Sequence, residues 1–393
     1  MFPAILLAAV TWLAPAAGPV GDPALQRAYA VLARVPLIDG HNDLPWTVRE
    51  YKDGPRDVVA YDLHTPRPGH TDLPRLRAGR VGGQFWSVYV PGDRAAEGLV
   101  RLQLEQIDLA RRMIARYPDD MTLVLGADEL ERAFRGGKIA SLLGAEGGHT
   151  IADSLAVLRT YHALGVRYLT LTHNVHTRWA DCAALPARHG GLTRFGEEVV
   201  REMNRLGMLV DLSHVSDATM DDALRVSAAP VIFSHSSARA LTDVPRNVPD
   251  AILGRVAKNG GIVMVTFLPA YVSQEVADHR KVKQPRQPAP RATLAQVADH
   301  IEHVRRVAGA DHVGIGGDFD GMSSAPVGLE DVSKYPQLFA ELVRRGWSDA
   351  DLEKLAGRNL LRVLRAAEAV AREQATRPAS LATIDQLDGP PAR

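Results

Sequence analysis

The chain carries a single cysteine, Cys182, among 393 residues. One thiol cannot close an internal disulfide, and thiolate zinc clusters need several, so a metal bound here is held by nitrogen and oxygen. Charge of one sign is also missing in excess: Lys+Arg and Asp+Glu each number 46. That balance leaves nothing to release counterions from nucleic acid and no basic cluster for an acidic membrane, which argues against both partners. Long apolar runs are absent too. The longest lies in Met1–Gly18, about a dozen residues, short of the ~20 that a spanning helix needs. With Ala14-Pro15-Ala16 behind it, this stretch reads as a signal peptide with a small-residue cleavage site, although no Lys or Arg precedes Arg27. The expectation is a leader or disordered segment over 1–22 and export to the periplasm or beyond, with a cytoplasmic protein if the leader is not functional. The polar tail over 376–393 offers no apolar lipid-anchor signal.

What is present is a large apolar fraction, 46%, against 23% charged residues, enough for a substantial core. Eight short apolar runs read as strands: Pro36–Gly40, Gly83–Tyr89, Ile139–Ala145, Arg167–Thr172, Met208–Ser213, Pro230–Ser234, Gly261–Thr266 and His312–Gly317. Amphipathic segments alternate with them, at Gly98–Tyr117, Ile151–Leu164, Thr193–Leu206, Asp217–Val226, Pro249–Lys258 and Thr293–Ala308. Strand and helix in strict alternation imply a parallel sheet, and eight repeats close it into a (β/α)8 TIM-like barrel, expected as one domain over 23–375. Two polar insertions, Leu44–Arg80 and Tyr271–Arg291, are expected as surface loops on the substrate side.

Six of the eight runs end on or beside a residue that can bind a metal or move a proton. His41 and Asp43 are two apart on an extended run and point the same way, so they can grip one ion together. Glu146 ends a buried run, where a carboxylate must be ion-paired or metal-bound, and its two oxygens suit a bridge between two cations. His214 and His235 close successive strands, and neutral imidazoles suit zinc. His173 is a further ligand or a donor to a developing oxyanion. Asp318 is placed to shuttle a proton, with Asp320 competing for the role. Arg246 can clamp a carboxylate with both arms of its guanidinium. His176, Asp181 and His189 read as loop residues.

These residues sit in longer stretches: Ile38-Asp-Gly-His-Asn-Asp-Leu-Pro-Trp46, Gly82-Gly-Gln-Phe-Trp-Ser-Val-Tyr89, Gly144-Ala-Glu-Gly-Gly-His149, Asp211-Leu-Ser-His-Val-Ser216, Phe233-Ser-His-Ser-Ser-Ala238 and Arg246-Asn-Val-Pro-Asp250. In them the chain resembles the membrane (renal) dipeptidase family of zinc peptidases, over about residues 30–370. Lacking the disulfides and anchor tail of mammalian members, it is similar to the bacterial ones. The resemblance implies a metal-dependent hydrolase barrel that cleaves free dipeptides with water activated by two zinc ions, and that tolerates a D-residue at the second position. It implies that His41 and Asp43 bind the first zinc, His214 and His235 the second, and that Glu146 bridges them. His173 would contact the substrate carbonyl, Arg246 its carboxylate, and Asp318 would move the proton. It also implies a homodimer, here without a linking disulfide. Two other readings stand beside this one: a related amidohydrolase acting on N-acyl amino acids or lactams, and a non-catalytic binding barrel.

Overall fold

The structure, a computed structural model, describes residues 21–283 and 287–390, so all but the last two positions of the expected leader lie outside the described residues. Nine strands run through the described residues: β1 (Leu37–Asn42), β2 (Val81–Ser87), β3 (Met121–Leu123), β4 (Ile139–Glu146), β5 (Val166–Thr170), β6 (Leu209–Asp211), β7 (Ile232–Phe233), β8 (Ile262–Val265) and β9 (Val313–Ile315). All pairings are parallel. Pairing runs β2-β1-β9-β8-β7-β6-β5-β4, and β2 also pairs with β4, which closes an eight-stranded barrel.

β3 is the ninth strand and was not foreseen. It lies beside the first residues of β4, from Met121↔Ile139 to Leu123↔Ser141, while β5 takes over further along, at Gly144↔Tyr168 and beyond. Three residues are too short to show an alternating pattern, so the run is invisible as a strand in sequence. The amphipathic helix that follows it, Ala127–Arg135, also escaped notice.

Strands and helices assemble around two apolar layers. Ile38, Phe85, Leu142, Tyr168, Leu209, Ile232, Ile262 and Met264 fill the barrel, and helix Asn359–Glu373 supplies Leu360, Leu361 and Leu364 to the same cluster. The outer layer lies between barrel and helices. Those helices start where side-chain oxygens can cap free backbone N–H groups, at Ser154, Thr193, Ser216, Thr293 and Ser348.

The surface-loop expectation for the first insertion fails at its tip. Leu44–Arg49 and Leu73–Ala78 are helical, and Thr71 and Asp72 are buried. The tip is drawn in because His70 N–H donates to Asp320 Oδ1 (2.8 Å), Asp320 N–H donates back to His70 Nδ1 (3.0 Å), and Asn42 donates to Thr71. The second insertion holds helices Pro269–Val272 and Gln274–Lys281, with residues 284–286 outside the described residues. The C-terminal segment up to residue 390 folds back. Ser380 O accepts from Arg159, and Asp388 accepts from Thr193 and Phe195 at the start of helix Arg194–Leu206.

Near the mouth, several strands shorten relative to the apolar runs because side chains replace the ladder. Asp39 on β1 does this for β9, which stops at Ile315: fully buried, it accepts from Gly317 N–H (2.8 Å), His41 N–H (3.2 Å) and Tyr335 Oη–H (2.5 Å). It therefore joins β1 to the segment after β9. Tyr335→Phe leaves one oxygen of a buried carboxylate short of a donor and is expected to cost about 1–3 kcal/mol; a lowered midpoint of thermal or denaturant unfolding checks this.

Candidate metal centre

All the strand C-termini open on one mouth, and the donor residues arrive there from different strands. His41 is on β1, Glu146 is the last residue of β4, and His173, His214, His235 and Asp318 follow β5, β6, β7 and β9 within two or three residues. The mouth holds a cavity of about 360 Å³ lined by Asp43, Glu146, His173, His214, His235, Arg246, Asp318 and Asp320, with Trp46, Tyr89, Asn174, Leu268 and Tyr271 as further walls. All eight predicted site residues are together: His41 lies directly beneath, fully buried against Asp43 and Glu146.

Glu146 divides the cluster. Its Oε2 faces His41 Nε2 at 3.4 Å, which is itself 3.3 Å from Asp43 Oδ2. Its Oε1 faces His214 Nε2 at 2.9 Å and His235 Nε2 at 3.3 Å, with His173 Nε2 at 3.9 Å. Two donor sets thus share one carboxylate: His41, Asp43 and Glu146 on one side, Glu146, His214 and His235 on the other. A third grouping, His41, His235 and Asp318, overlaps both. Gly321 allows the crowding, because a Cβ there would meet Asp43 Oδ2 and Asp318 Oδ1 at 2.2 and 2.5 Å.

The donor chemistry fits a cation. Asn174 Oδ1 accepts from His214 Nδ1 (3.1 Å), which puts the imidazole hydrogen on Nδ1. Burial, with Arg246 and His173 nearby, holds His214 well below the usual histidine range, so Nε2 keeps a lone pair. That lone pair lies 2.9 Å from Glu146 Oε1 and 2.9 Å from His235 Nε2, a crowding of nitrogen and oxygen donor atoms that suits a cation. On the other side, His41 Nε2 and Asp43 Oδ1 are buried without a hydrogen-bond partner.

The two sides differ in protonation. Burial opposes charge on His41, but the Tyr168 oxygen, Glu146 and Asp43 outweigh it and hold this imidazole well above its ordinary range. Burial keeps His235 well below that range, and lowers His173 as well. Against its own burial, Glu146 is pulled well below the carboxylate range, first of all by His41. Burial, then Asp43 and Glu146, push Asp318 well above it.

The sequence missed several residues that the structure brings here. Tyr168 Oη lies 2.8 Å from His41 Nδ1, and its ring lies over Gly144, where a Cβ would sit 2.0 Å from it. Trp46 and Tyr89 stack edge to face at 5.2 Å on one wall, and Tyr271 lies under the Arg246 guanidinium at 5.4 Å on another. Tyr89, two residues beyond β2, carried the available signal; Tyr168 is inside β5, and Trp46 and Tyr271 lie on the helices Leu44–Arg49 and Pro269–Val272. His176, Asp181 and His189 are loop residues as expected. Asp181 accepts backbone N–H groups from residues 188–191, and His176 lies 3.2 Å from it.

A proton held by His41 must leave before a cation binds beside it. Apparent affinity of the His41–Asp43 side is therefore expected to rise with pH through the neutral range, by about tenfold per unit, until pH exceeds the raised value of His41. The His214–His235 side, already neutral, is expected to vary little through the neutral range, which lies above its depressed values. Chelator competition at several pH values checks both.

Residues 25–378 match the model of the membrane dipeptidase family, peptidase family M19. A metallopeptidase from Rhodobacter sphaeroides, solved with a phosphinate mimic of the dipeptide L-Ala-D-Ala, is 26% identical, with a TM-score of 0.75 over 85% of this chain and 99% of that one. Dipeptidase AC, a metallopeptidase of family M19, is 27% identical, with a TM-score of 0.74 over 85% and 98%. The probable dipeptidase PvdM from Pseudomonas aeruginosa shares the fold at 24% identity, with a TM-score of 0.78 over 88% and 99%. The barrel, the shared-carboxylate donor cluster and these matches agree, and the chain belongs to the membrane dipeptidase family (peptidase family M19), a family of metal-dependent hydrolases.

Proposed function

We propose that this enzyme is a zinc dipeptidase that binds two zinc ions per chain, one at His41 and Asp43, one at His214 and His235, with Glu146 between them. The observation that carries this reading is the division of Glu146, one oxygen toward each donor set. Bound there, the metal pair would acidify a water and polarise the scissile carbonyl.

The remaining residues have separate tasks. Arg246 is buried, and among the described residues no carboxylate lies within ion-pairing distance of it. Its Nη1 donates to Ser236 Oγ (3.0 Å) and its Nη2 to the His235 carbonyl (3.2 Å), while Nε has no partner. A guanidinium so placed favours an arriving anion, and the free carboxylate of a dipeptide is the anion we assign to it. His173, kept neutral by burial, retains an N–H for the oxygen on which charge develops. Asp318 takes a proton on its carboxylate and returns it to the departing amine. Asp320 is the less favoured shuttle, because its Oδ1 is already engaged by His70.

The phosphinate mimic of L-Ala-D-Ala in the Rhodobacter relative supports L-Ala-D-Ala as a first substrate to try, including the D-residue at the second position. Leader composition alone supports export. A homodimer rests on the family resemblance, and Cys182, fully buried, is out of reach of a linking disulfide.

The zinc-loaded enzyme is expected to cleave L-Ala-D-Ala and to spare its C-terminal amide and its N-acetyl form; equal cleavage of the amide removes the Arg246 clamp, and preference for the N-acetyl form favours an N-acyl amino acid hydrolase. Arg246→Ala is expected to raise KM by an order of magnitude or more, about the 1.4 kcal/mol or greater loss of a charge-assisted pair, with zinc content unchanged. Asp318→Asn is expected to keep zinc and lower kcat by roughly 10²–10⁴-fold. If turnover survives in Asp318→Asn and is lost in Asp320→Asn, the shuttle is Asp320.

A further inference from the structure

Asp211, the last residue of β6, is a fully buried carboxylate outside the cavity and outside every donor set. Among the described residues it has no cationic partner within 4 Å. Its charge is met instead by four hydrogen-bond donors. Oδ1 accepts from Ser213 N–H (3.1 Å) and Ser234 N–H (2.8 Å), and Oδ2 accepts from Thr170 Oγ1 (2.5 Å) and Ser234 Oγ (2.6 Å). The carboxylate therefore joins the ends of β5, β6 and β7, the strands that lead to His173, His214 and His235.

The Ser234 hydroxyl is the informative member. It also lies 2.8 Å from His235 Nδ1. A hydroxyl has one hydrogen, and an acceptor-only carboxylate at 2.6 Å takes it. Ser234 Oγ can then only accept from His235, which requires the hydrogen on Nδ1 and leaves Nε2 with its lone pair toward Glu146 Oε1 (3.3 Å) and His214 Nε2 (2.9 Å). His235 N–H, donating to Ser213 Oγ (3.0 Å), fixes the backbone beside the ring.

We propose that Asp211 is a positioning residue that acts through Ser234 to lock the His235 tautomer and so sets the affinity of the His214–His235 side for its metal ion. This rests on the two-metal reading above. It assigns a role to a residue that touches neither substrate nor metal. Orienting partners of metal-binding imidazoles commonly change affinity by roughly 10–100-fold, and here the partner is a hydroxyl relaying a carboxylate rather than the carboxylate itself.

Asp211→Asn makes the sharpest test. Two backbone N–H groups hold the amide oxygen in the place of Oδ1, which turns the amide nitrogen, a donor, toward Ser234. Of the acceptors left to the Ser234 hydrogen, His235 Nδ1 at 2.8 Å is nearer than Ser213 Oγ at 3.4 Å, so it goes to His235 and the imidazole hydrogen moves to Nε2. In the metal-free protein, nitrogen-15 NMR of the histidines is expected to show His235 protonated on Nδ1 in the wild type and on Nε2 in Asp211→Asn. Zinc titration against a chelator is expected to show one of two ions weakened about 10–100-fold in this variant, the other unchanged. Ser234→Ala, which spares the bonds of Asp211 to Thr170 and to both backbone N–H groups, is expected to weaken the same ion and serves if Asp211→Asn does not fold. Thr170→Val breaks a bond to Asp211 but leaves the relay, and is expected to keep both ions at wild-type affinity. Wild-type affinity for both ions in Asp211→Asn or in Ser234→Ala overturns the proposal, and so does an equal loss in Thr170→Val, which makes Asp211 a strand tie alone. A wild-type protein that takes up one ion or none overturns the two-metal reading itself, a separate result.

Discussion

A carboxylate buried at the end of a strand must be compensated, and Glu146 imposes that requirement on the whole mouth of the barrel. No lysine or arginine does so among the described residues; its neighbours are the Ser87 hydroxyl, which donates to Oε2 at 3.3 Å, and three imidazoles within 3.4 Å. Two of those imidazoles are kept neutral by burial and bring no charge of their own to Glu146, an arrangement that suits a cation between them. The third, His41, is held well above its ordinary range because the Tyr168 oxygen, Glu146 and Asp43 together outweigh its burial. The division into two donor sets follows from this unequal answer to one buried charge.

The barrel makes the arrangement rigid by replacing ladder hydrogen bonds with side-chain ones at the strand ends. Asp39 and Asp211 do the same work on opposite sides, each accepting backbone N–H groups from the segment after a neighbouring strand. Backbone strain collects in the same place. His214, Asp318 and Asp320 all hold left-handed conformations, with φ of 69°, 63° and 65°. Such conformations cost about 1 kcal/mol or more in residues with a side chain, and they persist where surrounding contacts over-determine them. The reciprocal bonds between His70 and Asp320 are one such contact, which explains why the tip of a polar insertion is buried.

Charge is distributed across the cavity with one sign at each end. Arg246 stands on one wall above Tyr271, while Asp43, Asp318 and Asp320 crowd the segment around Gly321. A cavity of about 360 Å³ with a cation at one end and acids at the other suits a small zwitterion better than a long chain. That polarity is why a free dipeptide is the substrate class proposed, and why blocking either terminus separates the alternatives.

The sequence by itself determined the strand and helix alternation, the eight strands of the ring and the positions of the donor residues at their ends. Those features are local: a buried parallel strand is a short apolar run, and the residue after it faces the mouth. It did not reveal β3, whose three residues are too few to make a pattern, or the burial of Thr71 and Asp72. Only the tertiary structure decided which lone pair points where. Tyr168 meets His41 across 127 positions, Asn174 meets His214 across 40, and Ser234 meets Asp211 across 23. The direction of a hydrogen bond depends on the partner in space, and separations of that size leave no periodicity in a chain from which the partner can be read.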